Sequence, residues 1–227
     1  MISHGVLPHR DFMHATIYED PEYNSDGFRM SKELKDIDLD NYIIFAGSSH
    51  TVGIGVDMKE TFSHLVTETI KCDCVNLAVG GGGIDAVEHN LLMWNLKFKN
   101  PPKAIVVEWP IYQRYIQDAE GQNNLCPAGA WSEPKFITYA DKPLYLKGEL
   151  TYRLLHRLMP AKIIDVMHGK ISKYNWNSSM IWHETLDKGT DGEHAGPKSH
   201  IQTAENIINA LDRFKQCTDN NLLLKQK

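Results

Sequence analysis

The sequence has little of what marks disulfide-rich, membrane-spanning or secreted proteins. Its 227 residues include four cysteines, too few and too scattered for a disulfide framework in a chain of this length. No stretch approaches the roughly 20 apolar residues that cross a bilayer, and the start lacks a charged segment followed by an apolar core. We therefore predict a soluble protein without a signal peptide, cytoplasmic or virion-associated, that uses no membrane.

Positive charge is also scarce. The formal net charge is -5, and no run of lysine and arginine forms a basic stripe, which argues against nucleic acid as a partner. A hydrophobic content of 42% and a charged content of 23% are ordinary for one well-cored soluble domain of this length.

No metal or cofactor is predicted. Cys72 and Cys74 have the spacing of two thiolate ligands, but no second close pair of cysteine or histidine completes a site, and buried strand cysteines are favoured. The glycines at 80–83 lack the lysine context of a phosphate-binding loop.

Strands and helices alternate in the first half of the chain. Apolar, β-branched runs predict strands, and the longer segments between them predict helices. Such alternation predicts right-handed crossovers and a parallel sheet with helices on both faces. The predicted order is strand Tyr42 to Ala46, helix from about Val56 to Ile70, strand Asp73 to Ala78, helix from about Ile84 to Phe98 and strand Lys103 to Trp109.

The second half is less regular. Aromatic residues among Gly, Pro and Asn at about 110–147 predict a long loop or cap. Residues 147–170 are predicted helical with Leu150, Leu154 and Leu158 on one face, and Ser179 to Glu184 as a short last strand. The final predicted helix is Pro197 to Phe214, with core-facing residues Ile201, Ala204, Ile207, Ile208 and Leu211.

These patterns divide the chain into three parts. Residues 1–40 carry turn signals and no sustained period, which predicts an amino-terminal extension. The domain itself is predicted at 41–218, with the aromatic loop as an insertion. Residues 219–227 are predicted to be a fraying tail.

Three residues suggest a chemistry. Ser49 follows the first predicted strand and Gly47, so it would lie at the carboxyl end of a strand, where open α/β sheets place ligands. Asp191 and His194 are three residues apart and can touch on one helical turn. Nucleophile, base and orienting carboxylate together favour a serine hydrolase.

The motifs at both ends resemble the SGNH or GDSL hydrolases. The family's first block is Gly-Asp-Ser-x-Thr-x-Gly-x-Gly, and residues 47–55 read Gly-Ser-Ser-His-Thr-Val-Gly-Ile-Gly, with Ser48 in place of the Asp. The family's last block, Asp-x-x-His, corresponds to residues 191–194. The resemblance implies a three-layer α/β/α sandwich with a flavodoxin-like parallel sheet, and a Ser49-His194-Asp191 triad.

The middle blocks depart from the family pattern. The second block, Asn-x-Gly, is approximated by residues 76–80, Asn-Leu-Ala-Val-Gly. The third block should supply an asparagine that is one of three oxyanion donors, but residues 105–114 contain none. A strand followed by tryptophan and then arginine is similar to divergent members in phage and marine bacterial sequences.

The resemblance also implies which groups form the oxyanion hole. The backbone N–H of Ser49 and one N–H from the segment that holds Ala78 and Gly80 are the expected backbone donors. For the missing third donor, the side chains of Trp109, Gln113 and Arg114 are candidates, since each bears a donor just after the third strand.

The family implies an esterase for small acyl groups, such as acetyl on a carbohydrate. Two alternatives stay open: a weak or inactive SGNH-fold structural or attachment protein, including a virion-associated one, and an O-acyltransferase. Tryptophans are expected either to stack on sugar at the cleft or, more commonly, to pack in the core or cap. They are Trp109, Trp131, Trp176 and Trp182.

Overall fold

A five-stranded parallel sheet forms the centre of the structure, a computed structural model that describes residues 22–110, 115–119, 124–128, 141–168 and 180–224. Side chains are described within these ranges except at 115–119, 124–128, 141–145 and 215–224. The strands of the sheet are β1 (Tyr42–Ala46), β2 (Asp73–Asn76), β3 (Ala104–Trp109), β6 (Ile163–His168) and β7 (Ile181–His183). A separate antiparallel pair is formed by β4 (Tyr115–Ala119) and β5 (Asn124–Ala128).

Helices cover both faces of the sheet. They are α1 (Ser49–Val52), α2 (Phe62–Ile70), α3 (Ile84–Lys97), α4 (Asp141–Leu158) and α5 (Pro197–Leu224). The strand order β2-β1-β3-β6-β7 with parallel pairing is the flavodoxin-like order, so the predicted three-layer α/β/α sandwich is confirmed. No helix among the described residues is both long and apolar enough to cross a membrane.

Alternation along the central strands separates the two layers of the core. In β1, Ile44 and Ala46 pack in the cluster that contains α3 and α4 residues, whereas Ile43 and Phe45 pack in the cluster that contains α2 and α5 residues. Because successive strand residues point to opposite faces, an entirely apolar strand must be covered on both sides.

The predicted element after β1 needed correction at its start. The structure has the short helix α1 directly after Ser48, a 3-10 turn at Met58–Glu60, and then α2, whose amino terminus is capped by the Thr61 side chain accepting from the His64 N–H. Gly53 ends α1 in the left-handed conformation at φ 86°, which favours glycine. The predicted helix from about Val56 to Ile70 is therefore a 3-10 turn followed by α2, and α1 is a short helix that was not predicted.

The predicted helix at 147–170 was wrong at its carboxyl end, because α4 ends at Leu158 and Ile163–His168 is strand β6. Leu150 is 66% exposed, and Leu154 and Leu158 are exposed as well. Among the described side chains of this helix, the buried apolar ones are instead Tyr152 and Leu155. A repeat of apolar residues every four positions therefore marked the outer face of α4 and not its core face.

Elsewhere in the second half of the chain, the predicted elements are present but their bounds and buried faces differ from the prediction. The predicted short strand is β7. The last helix extends to Leu224, past the start predicted for a fraying tail, and residues 225–227 lie outside those described. Of its predicted core positions, Ala204, Ile207 and Leu211 are buried, whereas Ile201 is exposed. Within the predicted cap, β4 and β5 form a hairpin.

Residues 22–40 are integrated into the fold through the core and one buried arginine. Phe28, Met30, Leu34 and Ile37 are buried in the core beside α3 and α4. The Arg29 guanidinium donates to the backbone carbonyls of Val52, Gly53 and Val56, and it pairs with Glu22, whose other oxygen accepts from the Met58 N–H at 2.8 Å. Arg29 thus binds carbonyl groups at the end of α1, where helices lack backbone partners.

Two buried imidazoles join α5 to its neighbours. His200 accepts the Phe62 N–H on Nδ1 at 3.1 Å, and its ring stacks on the Phe62 ring. His183 Nδ1 is 2.6 Å from the Thr203 hydroxyl, which itself donates to the Ser199 carbonyl, so His183 is the donor of that bond. Desolvation by burial is the main reason that the pKa is lowered to about 3 in His183 and about 4 in His200.

We expect these imidazoles to make stability depend on pH. Between about pH 4 and 6.5 the unfolded chain binds protons at His200 that the folded chain does not, so stability falls as the pH falls through this window. The expected loss between pH 7 and pH 5 is on the order of 2 kcal/mol for this one residue. In His200→Asn, the Asn oxygen can still accept from Phe62 but does not titrate, so urea unfolding should show a shallower dependence on pH. His89→Asn, at an exposed position, is the control, and an equal slope in parent and His200→Asn would contradict the assignment.

Arg29→Met should destabilise the folded state, since it leaves buried carbonyls and the Glu22 carboxylate without their donor. A cost of about 2–4 kcal/mol in the free energy of unfolding is expected. Arg153→Met is the matched control, because Arg153 is exposed and pairs with Glu149 one helical turn away, an interaction worth less than about 0.5 kcal/mol. Similar unfolding midpoints for the two variants would show that Arg29 contributes no more than a surface residue.

Candidate functional site

Ser49 lies where the sequence predicts it, just past the carboxyl end of β1. It is the first residue of α1 and is only 5% exposed. Its Oγ lies 2.9 Å from Nε2 of His194, a residue 145 positions later in the chain. The structure therefore brings the proposed nucleophile and the proposed base into hydrogen-bond contact.

The loop that carries His194 is anchored at the start of α5. Lys188 and Ala195 form an antiparallel bridge across the loop. The Asp187 carboxylate accepts from the N–H groups of Lys198 and Ser199, each at 3.0 Å, which caps the helix. The backbone on both sides of His194 is thereby held against a regular element.

Asp191 orients His194 from within this loop. Its Oδ1 accepts the backbone N–H groups of Glu193 and His194, each at 3.0 Å, and its Oδ2 lies 2.5 Å from His194 Nδ1. Desolvation alone would raise the pKa of Asp191, but these hydrogen bonds outweigh it and lower the pKa to about 2. An ionised Asp191 accepts from Nδ1–H, which leaves the Nε2 lone pair of a neutral His194 facing Ser49.

Two glycines allow the loop to approach the nucleophile. Thr190 donates its N–H to the Gly55 carbonyl at 2.7 Å. A Cβ on Gly55 would lie 2.8 Å from Asp191 Oδ1, and one on Gly189 would lie 2.5 Å from the Gly55 carbonyl oxygen. A larger residue at either position would push the two loops apart and lengthen the bond between Ser49 and His194.

A stack of two imidazole rings lies beside His194, and one of the two contacts it. The His50 ring stands edge to face against it, with centroids 5.2 Å apart, and stacks on His168 at 4.2 Å. His50 directly follows the nucleophile, and His168 is the last residue of β6. Rings from two strand ends thus form a wall beside His194, a grouping the sequence analysis missed because residues far apart in the chain form it.

The backbone oxyanion candidates have different surroundings. The Ala78 N–H donates to Asn76 Oδ1 at 3.2 Å. Val79 donates to the Gly47 carbonyl at 3.1 Å, which holds the neighbouring peptide at Gly80 beside the nucleophile turn. Gly80 and the Ser49 N–H remain the predicted backbone donors.

Among the side-chain candidates, Trp109 points away from the site. Its indole N–H donates to Asp165 at 3.0 Å, on the face of the sheet that packs against α4, where its ring contacts Tyr152. Gln113 and Arg114 lie outside the described residues, so their predicted role stays untested.

Glu108 is a buried hydrogen-bond acceptor that was not among the predicted site residues. Glu108 is 1% exposed, and its carboxylate accepts from Ser48 and Thr51 on either side of Ser49. A carboxylate inside the apolar strand β3 was a visible signal, because an ionised group is rarely buried without partners.

The remaining predicted features are not grouped around Ser49. Cys72 lies just before β2 and Cys74 within it, and both are half-buried, so the prediction of two buried strand cysteines was wrong in detail. Desolvation raises the pKa of Cys72 to about 11 and that of Cys74 to about 12. Within the described ranges, no three His, Cys, Asp or Glu side chains are grouped as a metal site. Trp182 is 37% exposed on β7. Trp131, Trp176 and the side chains of Cys126 and Cys217 lie outside what the structure describes.

Comparison with known proteins gives a match in structure alone. No family model matches the sequence, and no curated protein matches it. A family 2 carbohydrate esterase with a carbohydrate-binding domain, from Corynascus thermopiles (Myceliophthora fergusii), matches with a TM-score of 0.50 and 12% identity over 75% of this chain and 65% of that chain. A family 2 carbohydrate esterase from Clostridium thermocellum, in complex with cellohexaose, matches with a TM-score of 0.50 and 13% identity over 78% and 65%.

The chain thus spans less than two thirds of the length of these esterases. What they share with it is the α/β/α architecture around a parallel sheet, at an identity that speaks for the fold alone. The chain therefore has the fold of the SGNH-type hydrolases, as its first and last motifs predict.

Proposed function

We propose that this protein is a serine esterase in which Ser49 is the nucleophile, His194 the general base and Asp191 the orienting carboxylate. One observation carries the proposal: an unbroken line of hydrogen bonds from Ser49 Oγ to His194 Nε2 and from His194 Nδ1 to Asp191 Oδ2. Geometry of this kind identifies a triad by the role of each group, whatever the order of the residues in the chain.

The reaction would proceed in two acyl transfers. Ser49 Oγ attacks the ester carbonyl carbon while His194 Nε2 takes its proton, and a tetrahedral oxyanion forms. When the bond to the alcohol oxygen breaks, His194 returns the proton to that oxygen, and the acyl group stays on Ser49. Water then attacks the acyl-enzyme with His194 as base, which releases the carboxylic acid and restores the Ser49 hydroxyl.

Oxyanion stabilisation in this proposal rests mainly on the backbone. The Ser49 N–H stands at the start of α1, where a helix provides no acceptor for it, and the peptide at Gly80 lies beside the nucleophile turn. Each oxyanion donor typically contributes about 10²- to 10³-fold to turnover. A site with two backbone donors and no side-chain donor would therefore turn over slowly.

The substrate class we propose is a small acyl ester, such as acetyl on a carbohydrate. Support comes from the two matched structures, which are described as family 2 carbohydrate esterases, one of them in complex with cellohexaose. An O-acyltransferase would use the same three residues, with a sugar hydroxyl in place of water in the second step.

A second candidate function is a binding protein with the hydrolase fold and little turnover. The observation in its favour is that Ala78 and Trp109, two predicted oxyanion donors, have their N–H groups engaged elsewhere. Activity and serine labelling separate this candidate from the enzyme.

Ser49→Ala should abolish hydrolysis of p-nitrophenyl acetate and labelling by a fluorophosphonate probe, since both reactions need the Oγ. Thermal unfolding should be nearly unchanged, because this hydroxyl is not part of the apolar core. Ser31→Ala, at an exposed position outside the site, is the matched control and should keep both reactions. Hydrolysis by Ser49→Ala at the parental rate would refute the nucleophile assignment, and an unlabelled, inactive parent would support the binding protein.

Asp191→Asn should lower kcat by about 10³- to 10⁴-fold, because an amide N–H₂ facing Nδ1 favours the wrong imidazole tautomer. The Asn oxygen can still accept from Glu193 and His194, so the loop should persist. Because the pKa of Asp191 is about 2, the parent should keep this carboxylate ionised throughout pH 5 to 9, and the deficit should hold across that range. Recovery of the parental kcat in the variant at any of these pH values would exclude the orienting role.

A further inference from the structure

The carboxylate of Glu108 lies directly beneath the turn that presents Ser49. Its Oε2 accepts the Ser48 backbone N–H at 2.9 Å, the Ser48 hydroxyl at 3.0 Å and the Thr51 hydroxyl at 3.1 Å. The first two donors immediately precede the nucleophile, and the third lies two residues after it. One carboxylate group therefore holds the chain on both sides of Ser49.

Gly47 makes this approach possible. A Cβ at Gly47 would lie 2.8 Å from both the Glu108 carbonyl oxygen and Oε2, and 2.3 Å from the Thr51 hydroxyl. Contacts this short do not occur for real side chains, so any larger residue would displace the turn from the carboxylate. The residue that opens the turn thus has a specific reason to be glycine.

In the part of the chain that the structure describes, the Glu108 carboxylate is surrounded by hydrogen-bond donors from Ser48 and Thr51. Among the ion pairs of the described residues, no lysine or arginine contacts this carboxylate. Burying an ionised group costs several kcal/mol, and three hydrogen bonds offset part of this cost. An apolar residue at this position of β3 would be buried without this desolvation cost. The carboxylate therefore contributes something else, which is the support of the turn that carries Ser49.

We propose that Glu108 is a positioning residue, whose buried carboxylate fixes the Ser48–Ser49 peptide so that the Ser49 hydroxyl meets His194 and the Ser49 N–H faces the oxyanion. The inference rests on the proposed esterase function. Glu108 acts through Ser48 and Thr51 and does not itself touch the reacting atoms. Since misplacement by about 1 Å can cost around 100-fold in rate, loss of this support should lower kcat far more than it weakens substrate binding.

The first test is Glu108→Gln, which keeps the shape of the side chain but replaces the carboxylate by a neutral amide. The amide oxygen can still accept at the Oε2 position, more weakly than a carboxylate, and the N–H₂ group then stands at the Oε1 position, 3.3 Å from the Ser48 hydroxyl. We expect kcat for p-nitrophenyl acetate to fall by about 10- to 100-fold, with KM within about threefold of the parent. The rate of fluorophosphonate labelling should fall by the same factor as kcat, because both depend on how Ser49 is presented.

Asp165→Asn is the matched control. Asp165 is also a buried carboxylate, on the adjacent strand β6, and it accepts from Trp109, Tyr152 and His156 on the opposite face of the sheet. The Asp165→Asn variant should be less stable than the parent, as Glu108→Gln should be. When both variants are assayed well below their unfolding temperatures, Asp165→Asn should keep the parental kcat. Equal losses of kcat in the two variants would overturn the proposal.

A second test moves the carboxylate instead of removing it. Ser48→Asp alone places two carboxylates in contact, and their repulsion should lower kcat below that of the parent. Combined with Glu108→Gln, it again leaves one carboxylate at the turn, so the double variant should be more active than Ser48→Asp alone. A double variant less active than both single variants would count against the proposal.

If Glu108→Gln does not fold, Thr51→Val and Ser48→Ala each remove one hydroxyl donor and leave the carboxylate in place. Each should lower kcat by about 3- to 10-fold without a change in KM, and parental kcat in both would overturn the proposal. The parent protein separates the two levels of inference. An inactive, unlabelled parent means that the esterase function is wrong, whereas an active parent with a fully active Glu108→Gln means that only the role of Glu108 is wrong.

Discussion

The candidate site depends on the close contact between two loops that lie at opposite ends of the chain. The Thr190 N–H bonds the Gly55 carbonyl, and neither Gly55 nor Gly189 leaves room for a side chain. This contact sets the distance between Ser49, which follows the first strand, and His194, which precedes the last helix. The parallel sheet fixes the positions at which the two loops start. The close packing of their backbones at Gly55 and Gly189 then decides whether Ser49 and His194 are within hydrogen-bond distance.

The sequence was most informative where apolar pattern alone determines the structure. Strand β1 is a continuous apolar run, and β3 is apolar except for Glu108. A parallel sheet covered on both faces buries every residue of such a strand, so the positions of both were predicted almost to the residue. Ser49, Asp191 and His194 were found because each stands in a short motif at a strand or helix end. Their contact in the structure agrees with the prediction, although contact alone does not test their roles.

The failures have a common physical cause, which is that tertiary partners override local pattern. Leu150, Leu154 and Leu158 repeat with a helical period, yet the buried face of α4 is made by Tyr152 and Leu155. The indole N–H of Trp109 donates to Asp165, a residue on the neighbouring strand β6, and no local sequence pattern relates these two residues. Hydrogen-bond partners across a sheet depend on the order of its strands. The candidate oxyanion donors were chosen from their positions along the chain only, so such partners were not foreseen.

The involvement of Arg29 in the end of α1 has a consequence for where the domain begins. A boundary drawn at residue 41, where the strand and helix alternation starts, would discard the guanidinium that binds the Val52, Gly53 and Val56 carbonyls, together with four buried apolar side chains. The smallest piece of this chain that folds with an ordered nucleophile turn should therefore start before Glu22. Sequence periodicity marks where regular structure begins, whereas the contacts that hold the end of α1 come from residues up to twenty positions before β1.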